Sequence, residues 1–171
     1  MKRIHLLGRK NHGKTTLVVE LVEYLTARGL RVGTIKHTHH AHELDAPGKD
    51  SHRHRTAGSS VVGILSPKMN AVFWAPADGE DDNRADADRY AAFAPHFATC
   101  DVVIVEGDTL ARELKIEVYR AAVGGEPLAA SDPAIVAVVT DDQPAVAAPL
   151  WPRRDVPAIA DRVLQLLRDS D

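Results

Sequence analysis

Residues Gly8 to Thr15 read G-R-K-N-H-G-K-T and satisfy G-x-x-x-x-G-K-[ST] at every fixed position. That pattern is the phosphate-binding P-loop, and each fixed residue does something other residue types do badly. Gly8 and Gly13 let the backbone turn tightly and come close to an anion. The amide N–H groups of such a turn, with Asn11 and His12 among its residues, converge on phosphate oxygens. Lys14 reaches the β- and γ-phosphates with a point charge, and the Thr15 hydroxyl is placed to ligate Mg2+. A helix starting there turns its positive N-terminal end toward the same phosphates. The flanking sequence fits. Arg3 to Leu7 is a strand-like run directly before the loop. Directly after it, Leu17, Val18, Leu21, Val22 and Leu25 form an apolar stripe, with Glu20 and Glu23 opposite.

The rest of the chain extends this start. Gly29 is a C′ residue that ends the first helix. Strands are predicted over Val32–Lys36, Val61–Leu65, Ala71–Trp74, Val102–Glu106, Leu114–Tyr119 and Ile135–Thr140. The second and third of these are joined by a hairpin-like turn. The continuous apolar run Val102–Glu106 suits a buried parallel strand, and the alternating Leu114–Tyr119 segment reads as an edge strand. Residues 37–56 read as a polar loop with one helical turn near Ser51. Pro76–Asp88 and Gly124–Asp132 read as loops, and Ala87–Ala98 as a helix blemished by Pro95. A final amphipathic helix follows Asp155 as N-cap, with Pro157 in its first turn. These elements predict a single domain over residues 1–171 of α/β, P-loop NTPase-like class, with a mostly parallel sheet and helices on both faces.

A length of 171 residues with 44% hydrophobic and 26% charged residues is that of an ordinary globular chain. Formal net charge is −3, which leaves no general basic footprint for nucleic acid. Cys100 is alone, so no internal disulfide forms and a reducing, cytoplasmic compartment is expected. No signal peptide pattern fits the start, and the apolar runs are too short to span a membrane.

Three further segments carry chemistry. Glu106 ends the buried strand Val102–Glu106, where a Walker B acid holds Mg2+; Asp101, at its other end, reads as a turn residue. Lys36-His37-Thr38-His39-His40-Ala41-His42 concentrates four histidines in six residues. It reads as a phosphate-facing surface, as a transition-metal site, or as a solvated loop. In Asp45 to Gly58, Lys49, Arg53 and Arg55 gather positive charge after a Pro47-Gly48 turn. Asp45 and Asp50 are candidates for reaching the metal or a water. The catalytic candidates are thus Lys14, Glu106 and Asp50, and the metal candidates Thr15 and Glu106.

Taken together, G-R-K-N-H-G-K-T-T, I-K-H-T-H-H, D-x-P-G-K-D-S-x-x-x-R-x-A-G and D-V-V-I-V-E-G followed by K-I-E-V-Y-R resemble the molybdopterin-guanine dinucleotide biosynthesis protein B (MobB) family. The resemblance covers roughly residues 4–140. It implies a P-loop GTPase-like fold, GTP and Mg2+ binding with weak hydrolysis, a homodimer, and a cytoplasmic accessory role. The implied partner is a molybdenum cofactor guanylyltransferase, with molybdopterin as a further ligand. By position, Gly8, Gly13, Lys14, Thr15 and Thr16 would hold the nucleotide phosphates. His37, His39, His40, Asp50, Ser51 and Arg55 would line the adjoining site, and Glu106 and Gly107 would complete the metal side. The chain departs from the family where an aromatic residue and a lysine commonly follow V-E-G; here Asp108 and Thr109 stand there. No N-K-x-D motif is present, which leaves Asp141 or Asp142 to accept from the guanine N1 and N2 donors. A metallochaperone GTPase and a small-molecule kinase are the rival readings.

Overall fold

Along β1 (Arg3–Leu7), Ile4 and Leu6 point into one core layer and His5 points to the opposite face of the sheet. In chain order there follow α1 (Lys14–Ala27), β2 (Val32–Lys36), α2 (Asp50–Thr56), β3 (Val61–Ile64), β4 (Ala71–Trp74), β5 (Val102–Glu106), β6 (Lys115–Val118), β7 (Ile135–Val139), β8 (Leu150–Trp151) and α3 (Val156–Asp169). Short 3-10 segments cover Ala91–Phe97, Ala121–Val123 and Leu128–Ala130. This computed structural model describes residues 1–38, 43–75 and 90–170. It groups into two compact units, Met1–Thr38 with Ala85–Asp171, and His39–Arg84.

The first unit is a P-loop NTPase-like sheet of six parallel strands, ordered β2-β5-β1-β6-β7-β8. Glu106 is in register with Leu6 on one side and Lys36 on the other, so the ends of β1, β2 and β5 lie side by side. One face is covered by α1 and α3, whose Leu17, Leu21, Ile159 and Val163 pack with Ile104 and Ile116. On the other face, Phe93 and Phe97 of the Ala91–Phe97 segment pack with Ile35, Val103 and Val105. Gly33 admits the Phe97 ring, because a Cβ there would lie 2.4 Å from Phe97 Cδ1.

The helix ends follow the sequence signals. The Gly29 N–H bonds to Thr26 O and the Leu30 N–H to Leu25 O, closing α1 in a Schellman arrangement. Asp155 caps α3 by accepting from the Ala158 N–H at 3.1 Å. Asp101 accepts from the Arg31 N–H at 2.7 Å, which ties the start of β5 to the residue before β2 instead of closing a local turn.

Other expectations are corrected. The Leu114–Tyr119 segment is not an edge: β6 lies inside the sheet between β1 and β7, buried throughout. Its polar residues alternate because they are satisfied internally. Lys115 Nζ donates to Asp132 at 2.6 Å, and Glu117 accepts from the Leu128 and Ala129 N–H groups at 2.8 and 2.9 Å. The Ala87–Ala98 helix is a 3-10 segment over Ala91–Phe97, since Pro95 removes the donor an α-helix needs; residues 87–89 lie outside the described residues. The Gly124–Asp132 loop carries the 3-10 turn Leu128–Ala130. The short β8 went unread. The Pro76–Asp88 loop also falls outside the described residues.

In the second unit, α2 is two turns rather than one. β3 and β4 form the expected antiparallel hairpin, with Val61 opposite Trp74 and Ile64 opposite Ala71. Asn70 Oδ1 and Ser66 Oγ accept backbone N–H groups in its turn.

Candidate nucleotide site

The P-loop spans the gap between β1 and α1 with three residues at positive φ: Gly8 at 138°, Asn11 at 67° and Gly13 at 94°. Gly8 also has no room for a side chain, since a Cβ there would sit 2.4 Å from the Val118 carbonyl oxygen of β6. Lys14 curls over the loop, donating from Nζ to Gly8 O at 2.7 Å and Arg9 O at 2.9 Å. Partial burial lowers its pKa, Glu106 opposes that shift and Lys36 adds to it.

Thr15 Oγ1 donates to Glu106 Oε1 at 2.8 Å, which joins the first turn of α1 to the end of β5. The two residues named as metal candidates are thus in direct contact. Gly107 follows at φ 93°, and a Cβ there would lie 3.2 Å from the His37 carbonyl oxygen. The His37 N–H donates to Glu106 O at 2.9 Å, so His37 stands beside the Glu106 end of β5.

His12 is buried beneath the loop. Its Nδ1 accepts from the Arg120 N–H at 3.2 Å and its ring lies 5.5 Å from that of Tyr119. Nδ1 is therefore unprotonated, and the ring braces the loop against the end of β6. At the end of β7, Asp142 Oδ2 accepts from the Ala121 N–H at 2.7 Å, which commits that carboxylate to the backbone. Asp141 is half-exposed and, among the described residues, pairs only with Arg154 Nε at 3.4 Å, so it is the freer of the two candidates for the guanine base.

Where the chain departs from V-E-G-aromatic-Lys, Asp108 is buried at φ 65° and accepts from the Tyr90 hydroxyl at 2.6 Å. Lys115 donates to Asp132 and to the Thr109 carbonyl. His5, Tyr90, Asp108 and Arg3 form a polar cluster on this face, with Arg3 Cζ 4.7 Å from the Tyr90 ring centroid.

In the second unit, Ser51 Oγ donates to the buried Asp45 at 3.0 Å and Arg55 pairs with Glu43 at 2.5 Å. The Asp50 side chain is almost fully exposed, with Arg53 at 3.8 Å. His39 and His40 lie outside the described residues. Among the described residues, no three His, Cys, Asp or Glu side chains come together as a metal-binding group. No described helix is long and apolar enough to cross a membrane.

The family model for molybdopterin guanine dinucleotide synthesis protein B matches residues 3–141. The chain belongs to the MobB family. An adapter protein of molybdopterin-guanine dinucleotide biosynthesis from Escherichia coli is 32% identical over 160 residues, 93% of this chain and 89% of the relative. Its counterpart from Haemophilus influenzae is 33% identical over 156 residues, 91% and 84% of the two chains. A crystal structure of molybdopterin-guanine biosynthesis protein B aligns with a TM-score of 0.72 at 27% identity, covering 97% of this chain and 99% of the other. A MobB homologue from Bacillus stearothermophilus, at 20% identity and a TM-score of 0.63 over 99% of each chain, shares the fold.

One residue of this MobB site escaped the sequence reading. Arg120 lies against the P-loop, its Cδ 4.0 Å from where a Gly13 Cβ would be. A usable signal exists in K-I-E-V-Y-R: Arg120, two residues beyond the end of the buried strand, shares the alternation of Ile116 and Val118.

Proposed function

We propose that this MobB chain binds Mg·GTP at the carboxyl edge of its parallel sheet. We infer that it serves as an adapter in molybdopterin-guanine dinucleotide biosynthesis, assisting a guanylyltransferase. The observation that carries the reading is the Thr15–Glu106 contact at 2.8 Å, which puts a P-loop hydroxyl and a strand-end carboxylate at one point. Two hard oxygens so placed suit Mg2+, which takes one or two protein oxygens beside phosphate and water. Thr15 and Glu106 would hold the ion, and the ion would neutralise phosphate charge.

Gly8, Asn11, Gly13, Lys14, Thr15 and Thr16 hold the phosphates, and Asp141 takes the guanine edge. His37 and Gly107 line the metal side. His39, His40, Asp50, Ser51 and Arg55 belong to a second anion surface for molybdopterin phosphate. The adapter role rests on the names of the two curated relatives. Hydrolysis is weak, because P-loop GTPases use a residue such as glutamine to orient water. The chain's two glutamines, Gln143 and Gln165, follow β7 and sit in α3, away from the Glu106 end of β5. The chain acts in the cytoplasm as a homodimer. The β3–β4 hairpin, which exposes Val61 and Val72 at 59% and 42%, is the surface that favours pairing.

Lys14→Ala tests the site. Losing a charge-assisted contact to phosphate costs about 3 kcal/mol, roughly a hundredfold in GTP affinity. A folded Lys14→Ala variant that binds GTP as well as the wild type would remove the assignment. Equal affinity for ATP would leave the P-loop and remove the guanine claim.

A further inference from the structure

Arg120 follows β6 with an extended backbone, φ −139° and ψ 113°. Alternation therefore turns its side chain to the side of Ile116 and Val118, which pack beneath α1. That is the side on which the P-loop meets the helix. The side chain runs over Gly13, with Cδ 4.0 Å from the position of an added Cβ.

The backbone around Arg120 is fixed on both sides. Its own N–H is held by His12 Nδ1 at 3.2 Å, and the next N–H, of Ala121, by Asp142 at 2.7 Å. Before it, the Tyr119 N–H bonds to Val139 O at 3.0 Å. Yet the guanidinium is exposed, and no carboxylate among the described residues pairs with it. A rigidly mounted arginine with an unused fork, beside a loop that collects phosphate, is arranged for an anion.

The strand order says which part of the anion. Glu106 and Thr15 mark the metal side, and Glu106 ends β5, on one side of β1. Arg120 ends β6, on the other side of β1. In a P-loop the backbone cradles the α- and β-phosphates while the lysine and metal reach toward the γ-phosphate. Arg120 thus approaches from the side away from the γ-phosphate. We infer that Arg120 is a phosphate-binding residue of this site, pairing with the α- or β-phosphate of a guanine nucleotide and setting affinity, not hydrolysis. This assignment rests on the nucleotide reading above.

The test is titration of GDP and of GTP, each with Mg2+, into the wild type, Arg120→Gln and Arg120→Lys. Arg120→Gln keeps the stem over Gly13 and removes the charge, and thermal melting checks that it folds. The expected result is a loss of about ten- to a hundredfold in affinity for both nucleotides. Arg120→Lys recovers part of that loss, and the hydrolysis rate at saturating GTP stays within about twofold of the wild type. Unchanged GDP affinity in folded Arg120→Gln overturns the assignment, whether or not GTP binding falls. A saturated hydrolysis rate that falls at full affinity also overturns it. If the wild type binds neither nucleotide, the nucleotide reading itself fails and carries this one with it; wild-type binding matched by Arg120→Gln defeats this one alone.

Discussion

Gly8→Ala is the most direct test of how the P-loop is built. At φ 138° the residue lies where L side chains are strained, and its Cβ would fall 2.4 Å from the Val118 carbonyl oxygen. Such contacts need more than 3 Å, so something must move by several tenths of an ångström. Val118 cannot yield, since β6 is held between β1 and β7 in the middle of the sheet. The loop must therefore lift, carrying with it the Gly8 carbonyl that holds Lys14 Nζ at 2.7 Å. Strain costs about 1–3 kcal/mol and overpacking a similar amount. We expect a net loss of about 2–4 kcal/mol, a fall in Tm of roughly 5–15 °C. A lifted loop also weakens the contacts of its amides and of Lys14 with phosphate, and losing one such charge-assisted hydrogen bond costs roughly tenfold or more in nucleotide affinity. Gly29→Ala is the control. Gly29 sits at φ 83° with nothing within 4 Å of an added Cβ, so it carries strain without a clash. Thermal melting and GTP titration of both variants separate the two terms. If Gly8→Ala is as stable as Gly29→Ala and binds GTP as the wild type does, the clash argument is wrong.

His5 is buried in β1, and burial pushes its pKa below 6.5 against the opposing pull of Glu113 and Asp108. The unfolded chain then binds more protons, so this contribution to stability is present above about pH 6.5 and is lost progressively as pH falls from there through the lowered folded-state pKa. His5→Phe should flatten the fall of the Tm profile below about pH 6.5; an unchanged slope would place the proton elsewhere. The lowered pKa values of Glu43, Asp101 and Asp132 act only at lower pH, where these carboxylates begin to protonate. Sedimentation at micromolar concentration should show a homodimer that Val61→Lys with Val72→Lys disperses. A wild type that stays monomeric, with or without the transferase, would defeat the dimer.

How much was legible depended on whether the constraint was local. The P-loop, the Gly29 ending of α1 and the Asp155 cap each follow from a few adjacent residues, and the structure places all three as read. β6 did not read correctly because alternation normally means one wet face. Here the polar face is dry: Lys115 and Glu117 find Asp132, Leu128 and Ala129, and nothing in the strand's own pattern announces those partners. Arg120 was missed for the same reason, since the spacing of 107 residues from Gly13 is bridged by the pairing of β1 with β6 and by the His12–Arg120 hydrogen bond, neither of which the local pattern shows. Asp108 read as a departure from a family pattern, and its role became visible only with the Tyr90 hydroxyl against it.

The placement of charge also bears on why such a site would suit an adapter better than a fast enzyme. An ammonium has three donors, and Lys14 spends two on the loop's own carbonyls, which fixes the direction of the third. Thr15 and Glu106 hold each other, and Arg120 is mounted on a backbone tied to His12. In the proposed reading all of these groups face charge that nucleotide already carries before any bond breaks. Interactions equally strong in the ground state and the transition state raise affinity without raising rate. Speed needs a group that orients water and a cation aimed at charge that develops later. Arg120 lies on the wrong side of β1 for that work, and the glutamines are remote from Glu106. On the proposed reading, a site of this composition would retain GTP and cleave it slowly, which would leave the nucleotide intact for a partner's chemistry.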